Sequence, residues 1–101
     1  MISESQFQQQ VIDLALTYLL RIFHWPDSRR ATDRGWPDLS LVGDRGLILA
    51  ELKTAKGKLS DEQLEVGAML RQISDACAVV EYHVWRPDDW PLAKEAMERI
   101  R

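Results

Sequence analysis

At 101 residues the chain has room for one domain, spanning 1–101, and one small core, so a homodimer interface is a natural source of further burial. Its 46% hydrophobic and 29% charged residues fit a soluble globular protein, and no apolar run approaches the roughly 20 residues of a membrane span. The N-terminal stretch lacks the basic-then-apolar layout of a signal peptide, and a single cysteine, Cys77, excludes an internal disulfide, so a cytoplasmic protein is the expectation.

A net charge of −3 argues against a uniformly basic surface, yet the charge is unevenly spread. Residues 29–58 hold seven bases (Arg29, Arg30, Arg34, Arg45, Lys53, Lys56, Lys58) against four acids (Asp33, Asp38, Asp44, Glu51), a local +3 that leaves −6 for the remainder. Such a stretch is either a patch for nucleic acid or an ordinary solvated surface.

Residues 3–20 read as a first helix, because Phe7, Val11, Leu14 with Ala15, and Tyr18 recur at helical spacing with polar residues between them. Ser3 and Gln6 fit a capping box. Glu4, in the first turn, either complements the helix dipole or stands at the border of the buried face as a site residue, and Gln8 lies one turn further along that face. Residues 22–25 are apolar and β-prone, a first strand ended by Pro26. His24 there is either an edge histidine or a residue touching phosphate or water. The polar segment 27–35 is rich in turn formers, and loops on a rigid scaffold often carry binding residues, which makes Arg29, Arg30 and Arg34 candidates for phosphate contact.

Two dense apolar runs follow, 39–42 and 47–50, and predict strands covered on both faces, joined by a tight turn at 43–46. Trp36, restrained by Pro37, is expected to pack rather than to stack on a base. On the second strand Glu51 and Lys53 point to one side and Leu52 to the other. If the turn closes a hairpin, antiparallel pairing brings Asp38 beside Glu51, so that two acids and a lysine meet at one point. Adjacent carboxylates repel unless a cation neutralises them, and Mg2+ is bound by one or two carboxylates together with waters and a substrate phosphate. The lysine can then orient or deprotonate an attacking water and offset charge in the transition state. That chemistry is metal-assisted phosphodiester hydrolysis.

The basic connection 54–58 places Lys56 and Lys58 to touch a nucleic-acid backbone without reading sequence. Ser60 with Gln63 forms a second capping box, and Leu59 with Leu64 a hydrophobic staple, opening a helix that runs to about Ser74. Gly67 inside it suits close packing against the sheet or against a partner subunit. Residues 76–85 read as a strand lying parallel to a neighbour after the crossover helix, with Cys77 as a small buried apolar residue. Glu81 and His83, two apart on one face, are expected to form an edge pair rather than a second metal site. Asp88 or Asp89 caps a last helix whose Leu92, Ala96 and Ile100 or Met97 recur at helical spacing; Pro91 is tolerable in its first turn and Trp90 packs near the cap.

Pro37-Asp38, a spacer of twelve residues and Glu51-x-Lys53 resemble the PD-(D/E)xK nuclease signature. The fuller string, His24 and Asp27-Ser28-Arg29 before Gly35-Trp36-Pro37-Asp38, then Gly57-Lys58-Leu59-Ser60 and Gln63, is similar over almost the whole chain to the stand-alone, virus-type members of the VRR-Nuc branch. The resemblance implies an α/β restriction-endonuclease-like core of αβββαβα order, with a mixed four-stranded sheet flanked by helices. It further implies a Mg2+- or Mn2+-dependent DNA endonuclease that resolves Holliday junctions as a homodimer in a bacterial or phage-infected cell. On that reading Asp38 and Glu51 hold the metal with the backbone carbonyl of Leu52, and Lys53 acts on the water. Glu4 reaches the ion through water, and Gln63 faces the site, a role with which its capping box competes. Two other readings stay open: a nuclease for flaps, nicks or duplex in phage or mobile-element DNA processing, and a non-catalytic DNA- or partner-binding module whose acids salt-bridge Lys53.

Overall fold

Ser3 starts the first helix. Its hydroxyl accepts from the Gln6 N–H at 3.1 Å while Gln6 Oε1 accepts from the Ser3 N–H at 2.8 Å, and helix α1 follows over Glu4–Thr17. The computed structural model, which describes residues 2–24 and 34–101, ends this helix at Thr17, short of the expected Leu20. Leu19 takes a left-handed φ of 62°, and the Leu20 N–H returns to the Ala15 carbonyl at 2.9 Å. That bond, with Leu19 N–H to the Leu16 carbonyl at 3.0 Å, closes the helix in the manner of a Schellman motif, with leucine in the place that usually goes to glycine.

Four strands form one sheet in the order β1 (Arg21–His24), β2 (Leu39–Gly43), β3 (Gly46–Leu52) and β4 (Val80–Trp85). The first two pairings are antiparallel and β3–β4 is parallel, so the sheet is mixed. Trp25, expected at the end of the first strand, lies outside the described residues. Helix α2 (Asp61–Ala76) provides the crossover from β3 to β4, and a short 3-10 turn (Pro87–Asp89) leads into α3 (Trp90–Ile100).

The two faces of the sheet separate by strand alternation. Leu39, Leu41, Ile48, Ala50, Leu52 and Trp85 point to one side and are buried there with Phe7, Val11 and Ala15 of α1 and Ala93, Ala96, Met97 and Ile100 of α3. Each large apolar side chain removed from water in this way contributes roughly 1.5–3 kcal/mol. On the other side Leu49 and Tyr82 pack under α2 against Leu70, with Trp36 and Val66 at the margin, as expected of Trp36. Burial on both faces holds for β3 but not for β2. Because α2 lies against β4, Val42 of β2 stays 38% exposed.

Gly67 sits where α2 crosses the sheet. A Cβ there would meet the Tyr82 hydroxyl at 2.6 Å, so the missing side chain serves helix-on-sheet contact within one chain. Three expectations for the C-terminal half need correction. α2 continues to Ala76, so the last strand begins at Val80 rather than at 76, and Cys77 is a half-buried helix C-cap rather than a strand core residue. Asp89 precedes α3 but gives it no side-chain bond, because its carboxylate accepts from the Arg86 N–H at 2.8 Å and closes the 3-10 turn instead. With α3 opening at Trp90 the inward stripe is Ala93, Ala96, Met97 and Ile100, and Leu92 is 59% exposed. Trp90 does pack against the main core. Among the described residues no helix is long and apolar enough to cross a membrane.

Candidate functional site

The β2–β3 hairpin sets the geometry. Gly43 pairs with Gly46 across the two-residue turn Asp44-Arg45, and the register then runs to Leu39 opposite Ala50. Asp38 precedes Leu39 and Glu51 follows Ala50, and the two acids are close enough for Asp38 to act on the Glu51 carboxyl. Asp38 Oδ2 accepts from the Leu52 N–H at 2.9 Å, which ties the side chain to the end of β3.

Glu51 is 2% exposed, the one buried charged residue among those described. Burial, first, then the charge of Asp38 and a hydrogen bond with it, push the Glu51 carboxyl up to about 9, with Lys53 pulling it down and the more distant Glu4 adding to the rise. A buried acid beside a second acid holds a proton in preference to standing ionised, unless a cation takes the proton's place.

Gln63 resolves a competition expected from the sequence. Its side-chain oxygen accepts from the Ser60 N–H at 2.8 Å, completing the capping box with Gln63 N–H to Ser60 Oγ at 3.1 Å. Its amide nitrogen simultaneously donates to Glu51 Oε1 at 3.0 Å. A primary amide has an acceptor at one end and donors at the other, so capping and site contact coexist.

Lys53, two residues after Glu51, is half-buried and lines a cleft of about 480 Å3. Arg34, Lys58, Ser60, Glu62 and Gln63 are among the other residues that line it. Gly35 adopts a φ of 82°, and a Cβ there would run into the Glu62 carbonyl. The chain thus enters tight against the first turn of α2 and sets Arg34 3.8 Å from Glu62. Lys56 and Lys58 are exposed on the segment leaving Lys53. Arg29 and Arg30 lie outside the described residues.

The remaining candidates are less central. Glu4 is exposed in the first turn of α1 and reaches Glu51 only through its charge. His24 is exposed at the end of β1, paired across the ladder with Leu39. His83 bonds Glu81 at 2.8 Å and stacks on Trp85, while Arg99 holds Glu81 at 2.7 Å; burial alone would raise the Glu81 carboxyl, but the Arg99 and His83 bonds outweigh it and hold it low. This is the edge pair expected, on the sheet face away from Glu51.

Among the described residues no group of three or more His, Cys, Asp and Glu side chains gathers as a metal cage. Two carboxylates do converge, and their chemistry fits a hard divalent cation whose other positions belong to water and phosphate. The chain matches no family model, and no curated protein or solved structure matches it either.

Proposed function

We propose that this chain is a metal-dependent, structure-specific DNA endonuclease of Holliday junction resolvase type, hydrolysing phosphodiester bonds. The observation that carries the reading is a buried Glu51 under the charge of Asp38 at the end of a hairpin, joined through Gln63 to a basic cleft that Lys53 also lines. The element order, α, three strands, α, strand and α, supports a restriction-endonuclease-like core. VRR-Nuc membership remains part of the proposal.

Asp38 and Glu51 would hold Mg2+ or Mn2+, with the Leu52 carbonyl and a water-linked Glu4 completing the oxygen set. Such an ion, when bound, polarises a phosphate oxygen and neutralises the paired acids. Gln63 fixes the orientation of Glu51 through Oε1, and the Leu52 N–H does the same for Asp38 through Oδ2. Lys53 orients the attacking water and stabilises the charge that grows on the phosphoryl oxygens. Arg34, Lys56 and Lys58, with Arg29 and Arg30, hold the DNA backbone and supply a salt-dependent share of affinity. A two-fold dimer would set two such sites against the equivalent strands of a four-way junction.

Incubation with a mobile four-way junction and with matched flap, nicked and linear duplexes, in Mg2+ or Mn2+, tests the reading on a denaturing gel. Symmetrical incision of the junction supports it. Preference for flaps, nicks or duplex moves the substrate and leaves the chemistry intact. A second reading, a non-catalytic DNA- or partner-binding module, draws on the convergence of only two carboxylates among the described residues. Calorimetry separates it, since that module takes up neither metal at Asp38 and Glu51.

A further inference from the structure

The chain segment that leaves Lys53 is held by three hydrogen bonds to the last residue of β4 and to the residue after it. The Lys53 N–H donates to the Trp85 carbonyl at 3.0 Å. Arg86, the next residue, sends Nη1 to the carbonyl of Thr54 at 2.7 Å and to that of Gly57 at 2.6 Å. Those carbonyls bracket the turn 54–57, itself closed by the Gly57 N–H on the Thr54 carbonyl at 3.3 Å. Arg86 is well placed for this. Its own N–H is fixed by Asp89 at 2.8 Å, and its side chain is half-buried.

We infer that Arg86 is a positioning residue for the basic loop: it holds residues 54–58 in the shape that presents Lys56 and Lys58 to a substrate phosphate backbone. The inference rests on the nuclease reading for its substrate and on the bonds above for its geometry. A cationic donor shared between two carbonyls makes charge-assisted bonds, stronger than neutral ones, and the loop has no helix or strand of its own to order it. Without the guanidinium both carbonyls lose this partner and Lys56 and Lys58 sample many positions. The Arg86 guanidinium bonds the Thr54 and Gly57 carbonyls and not Asp38 or Glu51, so its loss weakens substrate capture more than the chemical step.

Arg86→Gln and Arg86→Lys test this with two independent readouts on the intact chain. The first is limited trypsin digestion read by mass spectrometry, where the Gln variant should be cut after Lys56 and Lys58 about tenfold faster than wild type, with circular dichroism unchanged. Arg86→Lys keeps the charge on a shorter side chain whose ammonium does not reach the Nη1 position, and should fall between them. The second is steady-state cleavage of the four-way junction against salt. KM should rise about tenfold in Arg86→Gln with kcat within about threefold, and the salt slope of binding should fall by about one to two phosphate contacts. If Arg86→Gln does not fold, Arg86→Lys carries both measurements. Trypsin rates equal to wild type, or a loss confined to kcat, overturn the inference. Wild-type protein that neither binds nor cuts DNA defeats the nuclease reading and the substrate half of this one, while the trypsin rates still decide whether Arg86 holds the loop.

Discussion

A carboxyl group 2% exposed between a sheet and a helix is costly to ionise, and Glu51 has a second acid close to it. In the folded chain it therefore keeps its proton up to about 9, against an ordinary value of 4.5. Between those two values the folded state binds more protons than the unfolded state, so stability falls as pH rises, by up to about 1.4 kcal/mol per pH unit. Metal-free protein should show a melting temperature that declines from pH 5 to pH 9. Glu51→Gln should flatten that decline, and added Mg2+ or Mn2+ should oppose it in wild type only. A pH-independent melting temperature would show that Glu51 is not the protonated acid. Gln63 offers a sharper separation of roles. Gln63→Ala removes both the cap acceptor and the Glu51 donor, costing about 1 kcal/mol of stability. Gln63→Glu keeps the cap acceptor and sets a third carboxylate on Glu51, so nuclease activity should fall while less of the cap's stability is lost. Equal activity in both variants and wild type would leave Gln63 a helix cap alone.

At the scale of elements, the contact between α2 and the sheet makes its own prediction. Alanine is a better helix former than glycine by about 1 kcal/mol, yet Gly67→Ala drives a methyl into the Tyr82 ring and hydroxyl. The collision should outweigh the propensity gain and lower stability by about 1–2 kcal/mol, as overpacking does. Denaturant titration of Gly67→Ala with Tyr82→Phe should recover part of the loss; no recovery would place the strain elsewhere. The hairpin and both capping boxes were legible in the sequence because each depends on neighbours a few residues apart. Alternation by two residues and a tight turn are sufficient to bring Asp38 close to Glu51. The inward stripe of α3 was harder to read, because a 3-10 turn precedes the helix and Leu92 falls outside. Arg86 gave no local sign at all, since its partners Thr54 and Gly57 lie 32 and 29 residues away.

For the whole molecule, one sheet face is closed by α1 and α3 and the other is only partly closed by α2, leaving Phe23 47% and Val42 38% exposed. The succession of helices and strands followed from the pattern of apolar runs, and the mixed sheet was what the resemblance implied. Activity, substrate and assembly depend on the meeting of particular side chains and on partners outside the chain. The proposed two-fold enzyme should sediment at twice its 11.7 kDa protomer mass, and a monomer with and without junction DNA would remove the paired-site model without touching the chemistry. The chemistry itself is tested most directly by rates of junction cleavage in Mg2+ and Mn2+ for wild type, Asp38→Asn, Glu51→Gln and Lys53→Met, each shown by circular dichroism to be folded. Wild type should cut, and every variant should bind the junction yet cut about 100-fold or more slowly. Cleavage at the wild-type rate by any one of the three would contradict the assignment of hydrolysis to this trio.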